Sequence, residues 1–184
     1  MIISDISLRE FLNLDEETKQ DYNFYIRYSL TLNKSVDCLK IGDMTEKPFG
    51  LIKDLQFDFS SGITWEQLIT YIARITGKGQ KEVVDFSLFD VCQAKRYIME
   101  EIERISELEH NTLSYMPTDK EIRAGIEKLD PLGSYMQFRS IARALNMTIE
   151  QVKTMRYDEA FLELYAQKLL NEYEANYQKI ISEK

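Results

Sequence analysis

The sequence predicts a mainly α fold, a helical bundle built from two related units, each a helix-turn-helix followed by a long helix. Three observations carry this. Only three prolines and seven glycines interrupt 184 residues, so long helices run unbroken. Four stretches fit the capping box, in which Ser or Thr and a Glu or Gln three residues on satisfy exposed backbone donors: Ser7 with Glu10, Thr64 with Gln67, Thr118 with Glu121, and Thr148 with Gln151. The segment Ile72-Ala73-Arg74 to Val83 also returns, without a gap, as Ile141-Ala142-Arg143 to Val152. Each copy leads into a long Glu-rich amphipathic stretch.

A short helix begins at Ser7, with Ile6 and Phe11 placed as a hydrophobic staple. A longer helix follows, capped by Asp15, with Glu16 and Glu17 at the positive end of its dipole. Tyr22, Tyr25, Ile26 and Ser29 recur at helical spacing, and Phe24, Tyr28 and Leu32 form a second row. Residues 35–62 break the pattern. Val36 to Ile41 reads as a strand closed by Gly42-Asp43, and Leu55-Gln56-Phe57-Asp58-Phe59 alternates as a half-buried strand does. These give a small β-hairpin within 35–59, although Pro48 to Gln56 fits a helix starting at Pro48 equally well.

Thr64 opens a helix with Leu68, Ile69, Ile72, Ala73 and Ile75 on its apolar face, stopped by Gly77 and Gly79. Ser87 caps a long helix to about residue 110. Residues 111–117 read as a linker, Thr118 starts a helix ended by Asp130-Pro131-Leu132-Gly133, and a helix carrying Phe138 and Ile141 follows. The last helix runs from Tyr157 to about Ile181. The divisions are 1–62, 63–116 and 117–184, together one compact domain, and residues 64–110 are expected to superpose on 134–181.

Both copies of the repeat have helix-turn-helix spacing: Ala73, Gly77, Val83 and Ala142, Asn146, Val152. Small, turn and apolar residues at these intervals let two helices cross closely. They record packing rather than base contact. A nucleic-acid-binding version would use Arg74, Lys78, Gln80 and Lys81 in the first copy. The second places Glu150 near the helix start, where phosphate would sit. The net charge of -8 further disfavours a phosphate backbone as partner.

Catalytic constellations are missing from the sequence. His110 is the single histidine, so neither a zinc site nor a histidine-based catalytic set is expected. There is no phosphate-binding glycine motif, and no cofactor is expected. The two cysteines, Cys38 and Cys92, lie among apolar neighbours and suit a reducing compartment. The N-terminus reads without a signal peptide, and no apolar run approaches the ~20 residues of a membrane helix. Surface therefore carries the function. The candidate partner contacts are Tyr22, Tyr25 and Tyr28 on the second helix, and Phe161, Tyr165 and Tyr173 on the last, together with Leu164 and Leu169.

Three stretches resemble small phage morphogenesis proteins of the tail-assembly-chaperone type: Phe49-Gly50-Leu51-Ile52-Lys53-Asp54-Leu55-Gln56, then Arg123 to Leu129 with Leu132-Gly133, and the turn at Met147-Thr148 before an acidic helix. The resemblance spans about a third of the chain. It implies a non-enzymatic, helical protein that binds other virion proteins during assembly, in the host cytoplasm or the virion, with a homo-oligomer compatible with that role. A helix-turn-helix regulator that binds nucleic acid is the alternative.

Overall fold

The computed structural model describes residues 6–32 and 37–182, with the side chains at 24, 28–32, 130 and 131 left outside the description. The chain is mainly helical. Its α-helices are α1 (Leu8–Leu12), α2 (Glu16–Leu32), α3 (Phe49–Ser61), α4 (Trp65–Thr76), α5 (Gln80–Val83), α6 (Leu88–Leu113), α7 (Asp119–Ala124), α8 (Ser134–Leu145), α9 (Ile149–Thr154) and α10 (Tyr157–Ser182). Short 3-10 helices occupy Met44–Glu46 and Ile126–Leu132. The backbone groups into two units, Met1–Met44 with Leu55–Glu103, and Thr45–Asp54 with Arg104–Lys184. Residues 1–62 therefore contribute to both.

The hairpin expected within 35–59 does not form. Residues 37–41 make a turn, and the expected second strand lies inside α3; Val36 falls outside the described residues. Pro48 marks the start of this helix, the alternative the sequence left open. The alternation at Leu55, Phe57 and Phe59 misleads because three residues cannot separate period 2 from period 3.6. Leu51, Ile52 and Leu55 are buried as successive positions on a helical face, whereas Phe57 is 71% exposed. A strand would have put Leu55 and Phe57 on one side.

All four capping boxes close. Backbone amides of Glu10, Gln67, Glu121 and Gln151 donate to the Ser7, Thr64, Thr118 and Thr148 hydroxyls, while each Glu or Gln accepts from the cap residue's own amide. Asp15 caps α2 through the Thr18 amide at 2.9 Å, and Ser87 caps α6 through the Asp90 amide at 3.1 Å. The helix from Thr118 stops early, at Gly125 (φ 84°), and the chain continues as the 3-10 segment. Helix α6 runs three residues beyond His110, so residues 111–113 are helical rather than linker.

In the first unit, α4 ends at Gly77 in the left-handed conformation (φ 70°) and short α5 turns the chain into α6. In the second, α8 ends at left-handed Asn146 (φ 53°) and short α9 turns it into α10. Ile72 and Val83 are fully buried in the first, as are Ile141 and Val152 in the second. Another pair of contacts repeats with them. The amides of Leu8 and Leu88 donate to the carbonyls of Phe86 (2.9 Å) and Ile6 (2.8 Å). Those of Phe49 and Tyr157 donate to Met155 (2.7 Å) and Lys47 (2.9 Å). Each is a two-residue antiparallel bridge, Ser7 with Ser87 and Pro48 with Arg156. It fixes the start of one helix beside the start of the long helix.

Candidate interaction surface

The sequence-derived contact residues scatter. In the first unit, Tyr22 is 7% exposed and packs edge-on against Phe11 at 6.1 Å, so it belongs to the core. Tyr25 is exposed, and the Tyr28 side chain lies outside the described residues. The four residues assigned to nucleic acid lie on the first unit's surface near α5. Arg74 sits 5.9 Å from the Tyr71 ring and Lys78 lies 5.6 Å over Phe86. The Gln80 amide donates to Thr70 at 3.0 Å, and the Lys81 carbonyl accepts from Arg9 at 3.4 Å. Helix α5 has four residues and α9 six, about 6 and 9 Å of rise. Neither offers the length a recognition helix lays along a major groove.

The same unit contains a cleft of about 360 Å³ between α2, the start of α4, and α6. Arg27, Lys95, Arg96 and Trp65 contribute to its lining, with Lys95 over the Trp65 ring at 5.8 Å. Arg96 is held by Glu100 at 2.9 Å. Cys92 is buried, and loss of hydration pushes its thiol up to about 12. The Cys38 thiol is also raised, first by burial and then by the charge of Asp90. Neither sulfur presents a thiolate for chemistry near neutral pH.

The second unit holds a buried charge centre that the sequence did not reveal. Lys53 Nζ lies 2.7 Å from both carboxylate oxygens of Glu109, and the Tyr157 hydroxyl donates to Glu109 at 2.9 Å. Burial lowers the Lys53 pKa, opposed by the Glu109 charge. Burial, then the same charge, raises Tyr157. Phe49 packs edge-on against Phe138 at 5.2 Å beside this centre. The three residues are far apart in sequence and carry no spacing signal, which is why sequence reading missed them. The centre ties α3, α6 and α10 together inside the second unit.

The last helix divides in two. Tyr157 and Ala160 are buried, while Phe161 stacks on Tyr157 at 6.0 Å and is half-buried, as is Tyr165. Gln167 accepts from Ser140 and Lys168 donates to the Thr112 carbonyl at 2.7 Å. From residue 169 to 182 every residue is exposed. This half carries Leu169, Leu170, Tyr173, Tyr177, Ile180 and Ile181, each 46–64% exposed. Tyr173 and Tyr177 stack at 6.1 Å, 14° from parallel. At about 100° per residue, these six side chains fall within an arc of roughly 120°. They form one continuous apolar stripe, with Glu172 and Lys179 along one border and Glu174 along the other. Of the predicted contact face, Phe161 stacks on the buried Tyr157, Tyr165 is half-buried, and Tyr173 stands in the exposed stripe.

Among the described residues no helix is long and apolar enough to cross a membrane, and no His, Cys, Asp and Glu side chains gather as a metal-holding group. Compared with protein families, curated proteins and solved structures, the chain matches none.

Proposed function

We propose that this chain is a non-catalytic protein–protein interaction or assembly factor, serving phage virion or tail assembly in the host cytoplasm or the virion. The observation that carries the reading is the apolar stripe on the second half of α10. Large apolar residues are common singly on surfaces, but a contiguous patch marks a binding face. A helix segment of about 14 residues is marginal on its own in water, so a partner covering the stripe would also hold that segment helical. The repeated turn, bridge and core positions further support descent of both halves from one duplicated unit, with short α5 and α9 acting as structural corners.

The test uses the full chain as bait against virion proteins from infected cells. Capture that is lost in Tyr173→Glu, a change at an exposed position, supports the assembly role; capture of no virion protein removes it. The competing nucleic-acid role predicts a duplex DNA gel shift at low salt. We expect none, and a salt-sensitive shift abolished by Lys78→Ala and Lys81→Ala would replace our reading.

A further inference from the structure

The stripe on α10 has an internal symmetry. Leu169 and Ile181 lie equally far from residue 175, as do Leu170 and Ile180, and Tyr173 and Tyr177. Read in either direction, the exposed half of the helix therefore presents two aliphatics, a tyrosine, a tyrosine and two aliphatics. In a two-fold antiparallel pair residue i meets residue j while j meets i, so a stripe with this order sets aliphatic against aliphatic and tyrosine against tyrosine. We propose that the stripe pairs with the same stripe of a second copy, the two helices running antiparallel about the level of residue 175. The proposal rests on reading this half of α10 as the docking face, and it names the occupant.

Antiparallel pairing sets Leu169 beside the partner's Ile180 and Leu170 beside the partner's Ile181, each within one residue's rise, and Tyr173 level with the partner's Tyr177. The tyrosine rings are buried edge to edge while their hydroxyls reach the rim, as amphipathic aromatics allow. Charge agrees with this direction. Glu172 and Lys179 share one border of the stripe, and antiparallel pairing brings that border against itself. Glu172 then lies within one residue's rise of the partner's Lys179, and the two-fold axis makes this pair twice. A parallel pair would instead set the Glu172 border against the Glu174 border at nearly the same height, acid against acid. The intrachain Lys168–Glu172 contact is loose, at 3.6 Å, which leaves Glu172 available. Six apolar side chains per copy fall short of the ~800 Å² per partner of a standard complex. The dimer should therefore have a Kd of micromolar order.

Sedimentation equilibrium of the full chain at about 5–200 µM is the experiment. The expected result is a monomer–dimer equilibrium that Tyr173→Glu abolishes without lowering the melting temperature of the fold. Glu172→Lys and Lys179→Glu should each weaken the dimer, on the order of ten-fold. Mixed one to one, the two variants should recover parental affinity as a heterodimer, because every border pair is then attractive. A monomer throughout the range, a dimer indifferent to Tyr173→Glu, or a mixture no tighter than its components would each overturn the proposal. If the chain is monomeric yet Tyr173→Glu still abolishes capture of a virion protein, self-pairing falls while the docking face stands. If Tyr173→Glu changes neither, both fall.

Discussion

Lys53 and Glu109 define the balance of forces at the scale of single residues. Each is expensive to bury alone, and the pair survives burial because Nζ contacts both carboxylate oxygens and Tyr157 supplies a further donor. Lys53→Met strands the Glu109 charge and should destabilise the fold by about 3 kcal/mol in urea denaturation. Adding Glu109→Gln removes that charge and keeps an acceptor for Tyr157, so the double variant should recover most of the loss. Additive losses would show that the two groups are not coupled. The thiols give a second prediction. Cys92 in the folded chain stays protonated to about pH 12 against 9.0 in the open chain. Its contribution to stability is therefore complete below pH 9.0 and is lost as pH rises toward 12. Alkylation of Cys92 at pH 8 should be slow in the native protein and rapid in denaturant, as mass spectrometry would detect.

Elements are decided by their ends. The helix starts were legible because a capping box is a local exchange of two hydrogen bonds within four residues, and all four closed as the sequence predicts. The turns after α4 and α8 were legible for a similar reason: Gly77 and Asn146 take positive φ, which other residues adopt at a cost. Gly77→Ala should cost about 1 kcal/mol in urea midpoint measurements, while Asn146→Gly should be neutral or slightly stabilising. Equal effects at the two positions would break the correspondence between the corners. The stretch 35–59 was illegible because its apolar residues fit two periods, and burial of Phe49, Leu51, Ile52 and Leu55 on one face goes with the helix beginning at Phe49.

Across the whole molecule, the sequence reads as a repeat of two helices and a turn, and two backbone bridges stand at matching places beside the two copies. The segments entering α1 and α3 each make a two-residue bridge to the start of a long helix. No sequence identity announces this, because two backbone hydrogen bonds place no demand on side-chain type. Superposing residues 64–110 on 134–181 should bring Gly77 onto Asn146 and Ser87 onto Arg156, the long-helix ends of the two bridges.

Helical class, helix starts, the two left-handed turns and the acidic character were determined by the sequence alone, since each depends on neighbours within a turn or on summed charge. Only the tertiary structure decided which aromatic residues are core and which are surface. Tyr22 and Tyr173 both sit on long tyrosine-bearing helices, yet one packs on Phe11 and the other is exposed. A periodic apolar face states that something must cover it; contacts between residues distant in sequence determine whether the same chain does so.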